Sequence, residues 1–237
     1  MTADIRPLAK AGVHERFLQF FLEVVDPQQP KMVLDVGTGR GAFAQTLQRA
    51  GFSVQACDLH PEKFLCDGIA CKQADITQHL PYADNTFDAL VAIEVVEHLP
   101  DHTRFFRECR RVLKPHGKML LSTPNILSFK SRLSFLCFGF FDSFKPLNVH
   151  RAFGAQHVAA LTFDQYCYLA HLSHLTCCAV TVDQYQVTSR FFLWLRPLTC
   201  LSKKGRRADF RANNQIQLLL GRKVFIAFQA LEPRGEG

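Results

Sequence analysis

Residues 32–44 constrain this chain more than any other stretch. They read MVLDVGTGRGAFA. Val33, Leu34 and Val36 form a short apolar run suited to a central parallel strand. Gly37, Gly39 and Gly41 let the backbone turn sharply and approach a ligand without Cβ clashes. Residues 42–47 then take helical spacing, so the first N–H groups of that helix point back at the turn. Strand, glycine turn and helix in this order predict an α/β chain built on a parallel sheet.

Two ligand types suit such a turn. Gly37-x-Gly39-x-x-Ala42 matches the dinucleotide fingerprint in form. Asp35, two residues before the first glycine, argues the other way. A carboxylate there repels a pyrophosphate and suits a ligand with a cationic amino-acid end. A dehydrogenase is disfavoured on this ground.

Along the chain, apolar positions over 7–25 recur at helical spacing, and the prolines at 27 and 30 end that helix. Residues 52–58 alternate and close on Asp58, which predicts the second strand. An acid about 20 residues beyond a glycine turn is placed to accept hydrogen bonds from ribose hydroxyls. Residues 69–76 predict a third strand ending at Asp75, 87–93 a fourth and 118–122 a fifth. Asp101 is placed to cap a helix that Lys114-Pro115-His116-Gly117 breaks. Residues 175–185 and 223–228 predict a sixth and a seventh strand.

Asp35-x-Gly37-x-Gly39-x-Gly41, Asp58, Asp75-Ile76, Phe87-Asp88, Glu94-x-x-Glu97-His98 and Leu113-Lys114-Pro115-x-Gly117 follow one another in order over 33–125. This pattern resembles the class I S-adenosylmethionine-dependent methyltransferases, in particular the subgroup that includes ubiquinone-pathway O-methyltransferases. The resemblance implies a Rossmann-like, doubly wound sheet of about seven strands, mostly parallel with an antiparallel last strand at its edge and helices on both faces. It implies S-adenosyl-L-methionine as cofactor. Asp35, Gly37, Gly39 and Gly41 then serve its amino-acid end, Asp58 its ribose, and Asp75 with Ile76 its adenine; Thr38, Leu59, Ile93 and Glu94 complete the cofactor set.

A nucleophile that must lose a proton calls for a base, and His98 and His150 are the candidates. His98 follows the fourth strand, where α/β sheets place ligands; a helix-capping role competes for the same residue. His150 follows the segment expected to cover the substrate. Glu94, Glu97 and His98 also suit a hard cation, but the same letters occur in metal-free relatives, so no metal is assigned.

The nine cysteines are odd in number and none is at C-x-x-C spacing, which indicates neither a disulfide framework nor a zinc site. The first residues hold no apolar signal core, and no apolar run is long enough to span a bilayer. A cytoplasmic location is expected. The formal charge of +7 favours anionic partners without choosing one.

One domain is expected over 1–237, with a helical N-terminal segment over 1–30, an insertion over 126–172 after the fifth strand and a long connection over 187–221. The insertion holds six of the 22 phenylalanines within 126–144. The connection holds Phe191-Phe192-Leu193-Trp194-Leu195 followed by Lys203, Lys204, Arg206 and Arg207. Aromatic residues beside a basic cluster are what an interfacial segment needs. The expected partners are therefore a small-molecule or lipid-linked acceptor and an anionic membrane surface. An RNA or protein methyltransferase using the basic 196–211 stretch, and a non-catalytic cofactor-binding module, are the alternatives. Nucleic acid is disfavoured, because no recognised nucleic-acid module is present. The sequence gives no oligomeric state.

Overall fold

The computed structural model describes residues 5–26, 31–151, 154, 156–197 and 212–232. Seven strands form one sheet: β1 (Met32–Val36), β2 (Ser53–Asp58), β3 (Cys71–Gln73), β4 (Phe87–Ile93), β5 (Leu113–Pro124), β6 (Leu175–Val182) and β7 (Lys223–Ala230). Their order is β3-β2-β1-β4-β5-β7-β6. β1 pairs in parallel with β2 and β4, β2 with β3 and β4 with β5, while β7 runs antiparallel to β5 and β6. The antiparallel last strand is as expected, but its place is not. β7 lies between β5 and β6 rather than at the edge, and every residue of it except Gln229 is buried. A strand so apolar is better covered on both sides than left at an edge.

Alternation along the strands sends side chains to two cores. Leu34, Val36, Leu90, Ala92, Met119, Leu121, Ile226 and Phe228 face one side. There they meet Phe105, Phe106 and Cys109 of α3 (His102–Val112) and Tyr166 of α5 (Phe163–Leu172). Val33, Ala89, Val91, Leu120, Phe225 and Ala227 face the other, against α1 (Val13–Val24) and α2 (Ala42–Arg49). Much of the phenylalanine content is spent here. Phe17 makes edge contacts with Phe43 and Phe225 at 5.4 and 5.0 Å between ring centroids, and Phe21 does so with Phe52 at 5.2 Å. Each such ring contributes roughly 1.5–3 kcal/mol by burial.

Boundaries differ from expectation where local pattern and pairing disagree. The third strand keeps only Cys71–Gln73, because pairing with β2 ends there and Asp75 turns back on Thr77. The sixth stops at Val182, and Tyr185 makes an isolated bridge to Gly221. The fifth begins at Leu113 instead of Lys118: pairing with β4 jumps from Phe87↔Leu113 to Ala89↔Lys118, a bulge that accommodates Pro115 and Gly117. α1 starts at Val13, after Gly12 in the left-handed region at φ 83°. Asp101 caps α3 by accepting from the Arg104 N–H at 3.1 Å.

After β5 come α4 (Phe129–Phe138) and α5; after β6 come α6 (Val187–Phe191), a 3-10 turn Phe192–Leu195 and α7 (Ile216–Leu220). Lys203, Lys204, Arg206 and Arg207 lie outside the described residues. No described helix is long and apolar enough to cross a membrane.

Candidate active site

The strand order reverses at β1, which has β2 on one side and β4 on the other. In an open parallel sheet the carboxyl ends of strands at such a switch point leave a crevice for a ligand. Two adjoining cavities of about 480 and 530 Å³ open there and share Gly37, Gly39, Arg40, Glu94 and His98. The first adds Asp35, Thr38 and Ile93, and the second Asp58, Leu59, Asp75 and Ile76. The structure thus brings together along one cleft every expected cofactor residue except Gly41. Gly41 instead precedes α2 in the left-handed region at φ 86°, and a Cβ there would lie 2.5 Å from Phe64.

The glycine turn is held from both sides by carboxylates. Asp35 is buried and accepts from the Thr38 hydroxyl at 2.6 Å. Burial pushes its carboxyl up to about 7, against the hydrogen bonds from Thr38 and the Ala44 N–H. Asp58 accepts from the Gly39 N–H at 2.8 Å with one oxygen and from the His60 N–H at 2.9 Å with the other. Each oxygen keeps a lone pair for a further donor. Asp75 accepts from the Thr77 N–H, the Thr77 hydroxyl and the Gln78 amide, and these bonds hold its carboxyl below the usual range. Gly39 sits at φ 58° with its missing Cβ near Leu8 alone, at 3.2 Å. A side chain there would enter the cleft from a strained backbone.

At the end of β4, Glu94 has φ 56°, unusual for a residue with a side chain. Its N–H donates to the Ser122 carbonyl and hydroxyl, and its carboxylate accepts from Ser122 Oγ at 3.2 Å. The buried Lys223 ammonium donates to the other oxygen of the same carboxylate. Lys223 opens β7, so the far end of the chain completes this wall.

His98 lines both cavities from the 3-10 turn Val96–His98. Its Nδ1 donates to the Gln156 carbonyl at 2.8 Å. A carbonyl only accepts, so the proton sits on Nδ1 and Nε2 keeps its lone pair in the neutral ring. His150 lines neither of the two cavities of the cleft; it is exposed, and its N–H donates to Asn148 Oδ1. His157, seven residues on, enters the cleft. Its ring lies edge-on to that of His98 with centroids 4.9 Å apart, and its Nδ1 donates to the Ser143 carbonyl at 2.8 Å. Burial, helped by His98 and Lys223, pushes its pKa below the ordinary value.

Behind the pair, Glu97 is fully buried, and neither carboxylate oxygen has a hydrogen-bond partner among the described residues. Burial, then Glu94, pushes its carboxyl up to about 8. Donor atoms of Glu97, His98 and His157 lie within 4.8 Å of one another, so these three could hold a cation. His157 and Lys223 escape sequence reasoning. His157 carries no motif, and Lys223 differs from its strand only by being charged at the head of an apolar run.

Comparison with known proteins agrees with this geometry. The family described as "Methyltransferase domain" matches residues 34–121. Methyltransferase GfsG of Streptomyces halstedii is 36% identical over 132 residues, covering 51% of this chain and 46% of that protein. The ubiquinone biosynthesis O-methyltransferase of Xanthomonas oryzae pv. oryzae (strain PXO99A) is 37% identical over 102 residues, 39% of this chain and 43% of that protein. The chain thus spans less than half the length of these relatives. A SAM-dependent methyltransferase structure from Archaeoglobus fulgidus superposes with a TM-score of 0.58 at 17% identity, covering 92% of each chain. One from Mesorhizobium loti gives 0.56 at 16% identity, covering 90% of this chain and 97% of that one. At such identities the structures share the fold.

Proposed function

We propose that this chain, which carries a class I S-adenosylmethionine-dependent methyltransferase domain over residues 34–121, methylates an oxygen on a small or lipid-linked acceptor. The observation that carries the reading is the cleft at the switch point. A glycine turn, two strand-end acids and a histidine whose Nδ1 is held by the Gln156 carbonyl line two adjoining cavities there.

The residues present fit the cofactor. Gly39 leaves a space that a Cβ would fill, Asp35 lies beside that space, and Asp58 and Asp75 stand further along the cleft with lone pairs to offer. S-adenosylmethionine, when bound, supplies a methyl group on a sulfonium for in-line displacement. Asp35 orders the turn through Thr38 and favours a cationic end nearby. Asp58 holds hydroxyls while bracing Gly39. His98 accepts the acceptor's proton at Nε2, its ring fixed by the Gln156 carbonyl. His150, placed on the exposed loop, is the second candidate only if that loop closes over the acceptor.

The lipid-linked form of the reading rests on one surface. α4 and α6 pack side by side, with the Lys130 N–H donating to Ser189 Oγ at 3.2 Å. With the 3-10 turn that follows α6 they leave Leu136, Phe138, Phe191 and Trp194 exposed by 68–79%. An apolar face this open on a chain of charge +7 suits an anionic bilayer surface. Wild-type protein is expected to float with phosphatidylglycerol vesicles at low salt and to release as salt rises. Lys203→Ser, Lys204→Ser, Arg206→Ser and Arg207→Ser together should weaken flotation. Protein that stays with the soluble fraction would favour a soluble acceptor.

Calorimetry tests the core of the reading. S-adenosylhomocysteine should bind and NAD should not. Tight NAD binding without a response to S-adenosylhomocysteine would overturn it.

A further inference from the structure

A third cavity, of about 380 Å³, adjoins the cleft on the far side of His157, with which it shares His157 and Ser143. We infer that it binds an oxyanion, a phosphate or carboxylate group carried by the acceptor. The inference rests on the methyl-transfer reading, which puts the acceptor beside His98 and His157.

The lining holds Lys145, Arg151, Asn148 and Gln156 and, among the described residues, no carboxylate. The nearest acid in sequence, Asp142, is already paired with Lys130 at 3.0 Å. Neither Lys145 nor Arg151 has a side-chain hydrogen bond or ion pair among the described residues. Two cations facing one hollow without a counter-charge repel each other, and a bound anion relieves that repulsion. The ammonium offers three donors and the guanidinium a planar fork matched to phosphate or carboxylate. Asn148 adds an amide whose Nδ2 makes no bond among the described residues, while its Oδ1 is occupied by the His150 N–H.

The described residues that carry these groups are bonded to one another. The Gln156 side chain clamps both sides of Asn148, accepting from its N–H at 2.7 Å and donating to its carbonyl at 2.9 Å. The Arg151 N–H donates to the same carbonyl at 3.1 Å. The loop is also tied to both histidines, because His98 donates to the Gln156 carbonyl and His157 to the Ser143 carbonyl. An anion seated here is therefore held in register with the ring that takes the proton. Such tethering orients an acceptor at little entropic cost in the transition state.

Inorganic phosphate is the probe, titrated with and without S-adenosylhomocysteine while NMR follows the Asn148 side-chain amide and Arg151 Nε. Saturable shifts are expected that sodium chloride at equal ionic strength does not reproduce. Lys145→Gln with Arg151→Gln should weaken phosphate binding roughly tenfold, the loss of charge-assisted bonds at an exposed site. The same pair should leave the S-adenosylhomocysteine dissociation constant unchanged. Absent shifts, or equal shifts in the double variant, would overturn the subsite. So would binding to phosphatidylglycerol vesicles that is lost in the double variant without any response to phosphate, since the cations would then read a lipid surface. Phosphate binding without S-adenosylhomocysteine binding would keep the subsite and remove the methyl-transfer reading instead.

Discussion

The two halves of the cleft are assembled in opposite ways. The side at β1, β2 and β3 is local: Asp35, Gly37 and Thr38 lie within four residues, and Asp58 reaches back only 19 residues to Gly39. The side at β4, β5 and β7 is not. Glu94 is paired with Lys223 across 129 residues and His98 is oriented by Gln156 across 58. A site that must grip one fixed cofactor can be written into adjacent turns. A site that must suit a particular acceptor draws on whatever segments the chain lays over it, and so depends on long-range packing.

Five changes sharpen that contrast or break it. Gly39→Val should remove measurable S-adenosylhomocysteine binding by calorimetry, since a β-branched residue is strained at φ 58° and would enter the cleft. Binding that survives would mean the turn does not meet the ligand. His98→Ala should lower the rate of S-adenosylhomocysteine formation by about 10²–10⁴-fold with cofactor affinity nearly unchanged. His150→Ala should leave that rate within about twofold, because its side chain is exposed and lines neither cavity of the cleft; a large loss would show that His150 reaches the acceptor. Lys223→Met should cost roughly 3 kcal/mol in denaturant unfolding, the effect of stranding a largely buried carboxylate at Glu94. An unchanged midpoint would show that Glu94 finds another partner or a proton.

Asp58→Ala should cost roughly 1–3 kcal/mol of cofactor affinity while the fold persists. A further effect concerns pH. The Asp35 carboxyl, ordinarily near 3.8, sits at about 7 in the folded chain. A cationic ligand favours its ionised form, so binding near neutrality should expel a proton. S-adenosylhomocysteine affinity should then rise as pH climbs through 7, by roughly tenfold at most. For folding the sign is reversed: the folded chain holds that proton where the unfolded chain has lost it, so this group's contribution to stability falls between pH 3.8 and about 7. Calorimetry in buffers of different ionisation enthalpy reads the proton directly, and a flat response would place the ligand's charge elsewhere.

The same contrast explains what could be read from the sequence. Strands β1, β2 and β4 announce themselves by apolar runs that end in Asp, Gly or Glu, and the residues expected to hold the cofactor are those strand ends. β3 is only three residues long because its bounds are set by pairing with β2, which local pattern does not encode. His157 was beyond reach for another reason. It sits where residues after α4 fold back over β4, and nothing in its own neighbours points to the cleft. Lys223 looked like the polar end of a strand, and only its position between β5 and β6 turns it toward Glu94.

That placement of β7 also bears on how the molecule is made. Translation runs from the N-terminus, so among the described strands β7 leaves the ribosome last, yet it occupies an interior slot of the sheet. Until it arrives, β6 has no hydrogen-bonding neighbour and β5 shows an open edge. Such an edge is an invitation to pair with other chains. Glu94 meanwhile waits without its counter-charge. A growing polypeptide can therefore finish its glycine turn early, but the opposite wall of the cleft exists only after β7 slides home.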